Sequence, residues 1–143
     1  MKAFLNPIAP RNLLVGAGAF YVSWWLASPL ALGYGKLTDG IIYSGPFASV
    51  LMALVLTVPY ALVAVGVGAS VAWLVESERP LRWAMFPASL YIFFGTISYH
   101  WERPPLFLDR VAQVADAMFQ GIACLGGALI VVRRRTAKPP TPV

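Results

Sequence analysis

From Gly40 to Val75 the chain runs for 36 residues without one charged side chain. No other feature constrains the fold as strongly. A small water-soluble domain buries only part of its surface, so it cannot hide an apolar stretch of that length. A bilayer core about 30 Å thick takes a helix of about 20 apolar residues, and the run is ample for that.

The rest of the composition agrees. Of 143 residues, 59% are hydrophobic and only 12% charged, against about 25% charged in an ordinary soluble domain. The mean hydropathy is +0.69. These values exclude a soluble enzyme, a nucleic-acid-binding module and a disordered chain. The expected class is an all-α integral membrane protein: a four-helix antiparallel bundle with both termini cytoplasmic.

Charge-free windows set four spans, about 12–32, 47–75, 81–99 and 106–132. Residues 1–135 then form one transmembrane domain, and 136–143 a proline-rich cytoplasmic tail that cannot continue the helix. Gly33-Tyr34-Gly35 is read as closing the first span and Ser44-Gly45-Pro46 as opening the second, since proline suits a first helical position. Pro59 is expected to kink the second span, with the Thr57 hydroxyl helping to satisfy a freed carbonyl. The rival reading takes the first apolar stretch as a cleaved signal peptide, but it is longer than an h-region of about 7–15 residues.

Orientation follows from basic residues in short loops. Lys2, Arg11, Arg79, Arg82, Arg133, Arg134, Arg135 and Lys138 fall on one side, against Lys36, Arg103 and Arg110 on the other. The side with eight is read as cytoplasmic. The location implied is a bacterial inner membrane. The net charge of +5 is thus mainly a threading signal, with anionic lipid head groups as a further partner for Arg133, Arg134 and Arg135. No nucleic-acid partner is expected.

Metal and redox chemistry find little support. One cysteine, Cys124, cannot form an intrachain disulfide or a CxxC pair, and is read as a small apolar core residue. One histidine, His100, cannot make bis-histidine haem ligation or a histidine zinc cluster within one chain. No cofactor is expected. The first span carries no acid, unlike the small multidrug exporters.

The sharpest pattern lies in the fourth span. Asp109, Gln113, Asp116 and Gln120 are spaced i, i+4, i+7, i+11. At 100° per residue they fall within roughly 60° of one another, forming one stripe. Asp116 is placed a turn or two inside the membrane and Gln120 near the midplane. An acid at the bilayer centre costs about 2.5–3.5 kcal/mol on insertion scales, so it must face protein or water. The third span has the same spacing in Tyr91, Gly95, Ser98 and Glu102. Together these suggest a polar pocket in the outer half of the bundle, built from Asp109, Gln113, Asp116, Gln120, Tyr91, Ser98, His100 and Glu102, with Ser23, Ser28, Ser49 and Thr57 contributing from the other spans. The plainer alternative is a dry network in which these side chains hold the helices in register.

Trp24 and Trp25 sit too deep for an interfacial belt, so one of them is expected to face the bundle. Ala64 and Gly68, Gly66 and Ser70, and Ala123 and Gly127 are small-xxx-small pairs suited to close helix contacts, within the chain or in a homo-oligomer. His100-Trp101-Glu102-Arg103-Pro104-Pro105 reads as an interfacial loop.

Three functional classes remain. The first is a non-enzymatic accessory or assembly protein that uses its bundle as an interaction surface for another membrane protein or a second copy. The second is an oligomeric transporter or pore for a small solute or proton-coupled substrate, using the Asp116 stripe. The third, an enzyme acting at the outer face through His100, Glu102 and Asp109, lacks a nucleophile elbow, metal motif or phosphate loop.

Overall fold

In the computed structural model, residues 8–38, 48–75, 79–97 and 107–137 are described. They form four helices: α1 (Ile8–Thr38), α2 (Ala48–Leu74), α3 (Pro80–Ile97) and α4 (Phe107–Thr136). The described structure is all-α. Among the described residues, three stretches are long and apolar enough to cross a membrane: Pro10–Tyr34, Thr57–Leu74 and Arg110–Thr136.

Three of the four helices begin and end within a few residues of the charge-free windows. α1 does not end where its glycines suggested. It continues through Gly33, Tyr34 and Gly35 to Thr38. A glycine costs a helix only about 1 kcal/mol, whereas breaking backbone hydrogen bonds in an apolar environment costs several.

α2 and α4 share the largest interface, followed by α3 and α4, while α1 packs on α2 and α3 and scarcely touches α4. The order around the assembly is therefore α1–α2–α4–α3. Along α2 and α4 the contacts climb together: Thr57 meets Asp116, and Trp73 meets Arg135. α1 and α3 also climb together, since Gly16 lies against Phe86 and Pro87 while Ser23 meets Tyr91. α3 and α4 run in opposite senses, with Gln113 at Gly95 and Cys124 at Ala84.

Glycine explains the closeness of α2 and α4. A Cβ on Gly68 would fall on the Cys124 carbonyl oxygen, and one on Gly127 on that of Val65. Each helix thus presents a bare Cα to the other's backbone. This is the packing that small residues permit where lipid offers no hydrophobic drive between helices. The third expected pair behaves differently: Gly66 has open space beside it and Ser70 is exposed.

The core is built of small side chains. Ala64, Val67, Val71, Val75, Ala88, Tyr91 and Cys124 form the main cluster, and Ala72, Ala84 and Ala128 a second one. Large apolar residues point outward instead, as with Leu14 (72% exposed) and Leu32 (70%) on α1. This inversion of the soluble pattern suits hydrocarbon surroundings. Trp24 and Trp25 follow it, at 54% and 67% exposed. Neither faces the bundle as expected. The inward positions of that turn go to Ser23 and Ala27, both buried.

Candidate functional site

The polar face of α4 serves two neighbours. Helical periodicity puts Gln113, Asp116 and Gln120 on one face of α4, and that face sits over the seam between α2 and α3. Asp116 turns to α2, where the Thr57 hydroxyl donates to its Oδ1 at 2.6 Å. Gln120 Nε2 donates to Asp116 Oδ2 at 3.0 Å from one turn along the same helix. Both carboxyl oxygens are thereby engaged. Thr57 and Asp116 each stand nine residues into their helices, about 14 Å along the axis, which is the common register of the parallel pair.

Gln113 turns to α3. Its Nε2 donates to the Gly95 carbonyl at 2.6 Å. That carbonyl lies in the last turn of α3, where helix carbonyls lack intrahelical donors. Gly95 also allows the approach, because a Cβ there would stand 2.8 Å from Ala117 Cβ.

Tyr91 belongs to a separate pair. Its hydroxyl donates to Ser23 Oγ of α1 at 2.7 Å, and Ser23 in turn donates to the Phe20 carbonyl. The Tyr91 ring packs edge-on against Phe20 with centroids 4.9 Å apart. The face that suggested a partner for α4 therefore splits: Gly95 meets α4, and Tyr91 meets α1. Ser28 is exposed.

Of the eight candidate pocket residues, the structure brings Asp116 and Gln120 together, with Thr57 as their third member. Gln113 and Tyr91 lie in separate pairs. Asp109 sits in the first turn of α4, and its side chain is outside the described residues. Ser98, His100 and Glu102 also lie outside them, as does Ser49's side chain. Among the described residues, no group of three His, Cys, Asp or Glu side chains comes together to hold a metal.

Thr57, which the sequence places beside the carbonyl freed by Pro59, donates its hydroxyl to a long-range partner, Asp116. Cys124 is fully buried between α2, α3 and α4, with its thiol 3.9 Å from the Ala84 carbonyl. Arg135, part of the basic flank, also caps α2, donating from Nη2 to the Trp73 carbonyl at 2.7 Å.

One polar side chain escaped notice in the sequence. Asn12 on α1 is 1% exposed, and neither its Nδ2 nor its Oδ1 has a hydrogen-bond partner. Its one signal was position: Asn12 lies four residues before Gly16, on the face that α1 packs against α3. No protein-family model, curated protein or solved structure matches the chain.

Proposed function

We propose that this protein is a four-span bundle of antiparallel connection in a bacterial inner membrane, with both termini cytoplasmic and α3 crossing alongside the three longer apolar stretches. It works without catalysis, as an accessory or assembly protein whose bundle is an interaction surface. The observation that carries this reading is the closure of the polar network. Asp116 is engaged by Thr57 and Gln120, and Gln113 by Gly95. Polar groups satisfied in this way hold helices in register, at about 0.6 kcal/mol per contact. The outward face of α1, with Leu14, Tyr21, Trp25 and Leu32 exposed, is the surface offered to another membrane protein or a second copy.

The test is recovery of the tagged chain at native expression in mild detergent, paired with flux assays in liposomes holding this protein alone. A membrane protein retained in fixed proportion, with no flux, is the expected result. Solute or proton flux that disappears in Asp116→Asn would overturn it.

A carrier or pore is the second reading. It is favoured by the partial exposure that Asp116 and Gln120 keep despite their depth. An intramembrane acid with residual access is a group type that proton-coupled carriers use.

A further inference from the structure

α1 is buried along one narrow line. Among its described side chains only Asn12, Gly16, Ser23 and Ala27 are buried. On the opposite side, Leu14, Gly18, Tyr21, Trp25, Ser28 and Leu32 are all exposed. Their spacing alternates between four and three residues, and at 100° per residue they fall within about 80° of one another. That alternation is the seam of a helix pair, which repeats every 3.5 residues.

A face turned to lipid calls for apolar side chains, yet this one carries three polar groups. The Tyr21 hydroxyl, the Trp25 indole N–H and the Ser28 hydroxyl have no hydrogen-bond partner among the described residues, and Tyr21 and Trp25 meet through their rings alone. Ser89 and Thr136 are also exposed, but they donate to carbonyls of their own helices. The apolar stretch Pro10–Tyr34 is centred on Val22. Tyr21 and Trp25 therefore stand within about 5 Å of its middle, and Ser28 about 9 Å from it. All three lie inside a hydrocarbon half-thickness of about 15 Å, where lipid offers no hydrogen-bond partner. Gly18 adds an opening: a Cβ there would meet nothing within 4 Å, so a second backbone can come close on this side.

We propose that this seam pairs α1 with α1 of a second copy of the chain, about a two-fold axis along the membrane normal. Both copies thread alike, so the pair is parallel and the same patch serves on both sides. An indole N–H only donates, whereas a hydroxyl donates and accepts. Each Trp25 donates to Ser28 of the partner subunit, one turn away, and the two-fold makes that exchange twice. Gly18 lies two turns before Trp25 and lets the backbones cross, while the Tyr21 and Trp25 rings fill the space where they diverge. A face that holds donor, acceptor, opening and bulky ring together complements itself, which selects a second copy over a different protein. The proposal deepens the interaction-surface reading above and rests on it.

The test is disulfide trapping of the full chain in native membranes. Leu14→Cys and Leu32→Cys lie on the seam and should cross-link under mild oxidation. Leu62→Cys on α2 and Ile122→Cys on α4 are also exposed and should not. The wild type is the blank, because Cys124 is buried. Gly18→Ile meets open space within one chain, so it should keep its helical content while dimerising about tenfold more weakly in mild detergent. Gly66→Ile, at a similar opening on α2, should dimerise as the wild type does. Trp25→Phe with Ser28→Ala should weaken the dimer without loss of helix. Cross-linking at all four positions alike, or at neither seam position, overturns the proposal. So does a Gly18→Ile protein that dimerises as tightly as the wild type. A monomeric wild type that retains a different membrane protein overturns the second copy and leaves the accessory reading standing. Seam cross-links together with solute flux lost in Asp116→Asn keep the pair and overturn the accessory reading.

Discussion

The Thr57 hydroxyl donates to Asp116 Oδ1 at 2.6 Å, tying two parallel helices 59 residues apart in sequence. Gln120 completes the node from the next turn of α4. Removing the carboxylate takes away the acceptor that Thr57 and Gln120 share in an apolar setting. Asp116→Leu should therefore destabilise the protein by about 1–2 kcal/mol. Asp116→Asn should cost less, because its carbonyl still accepts from Thr57 and Gln120 can turn its amide to match. Unfolding in graded SDS, followed by helical circular dichroism, measures both. Equal loss in the two variants would count against the node.

The α2–α4 contact makes a sharper demand. Gly68→Ala and Gly127→Ala each drive a methyl group into a facing backbone carbonyl, which cannot turn aside as a side chain can. Overpacking of this kind costs about 1–3 kcal/mol. Gly66→Ala meets open space and should be neutral or mildly stabilising, as alanine is the better helix former. The same SDS titration distinguishes them.

Tyr91 and Ser23 form a buried pair that a double-mutant cycle can weigh. Tyr91→Phe should cost about 0.5–1.5 kcal/mol. Ser23→Ala leaves the Tyr91 hydroxyl buried without its acceptor and should cost at least as much. The double variant should lose less than the sum, since the two residues share one bond.

Cys124 is fully buried and is the chain's one cysteine. A maleimide should leave the folded protein unmodified and label it completely once SDS unfolds it, because a thiol in apolar packing is inert. Fast labelling of the folded state, read as a mass shift, would contradict the packing.

The threading can be read with reporters. A phosphatase that is active only outside the cytoplasm should be silent when fused after Val143 and active when fused after Thr38. A phosphatase active after Val143 would reverse the proposed orientation.

Much of the architecture was legible in the sequence because apolar length and charge spacing act locally. They fix where a helix can exist in a bilayer. The i, i+4, i+7, i+11 pattern likewise fixed Gln113, Asp116 and Gln120 on one face of α4. Local patterns did less well where backbone hydrogen bonding overrode residue preference, as when α1 passed through Gly33 and Gly35. They failed for Trp24 and Trp25, whose depth said nothing about which way they turned.

What the sequence alone determined is the set of apolar helices and, on α4, the shared face of Gln113, Asp116 and Gln120. Only the tertiary structure decided which neighbour each face meets. Periodicity specifies an angle around one helix axis and carries no information about the axis beside it. Gly66 and Ser70 made as good a small-residue pair as Ala64 and Gly68, yet one lies outside and the other against α4. The deciding factor was close approach of two backbones, at Gly68 with Cys124 and at Gly127 with Val65. That approach set α2 beside α4, and so sent Asp116 to Thr57 and left Gln113 to Gly95.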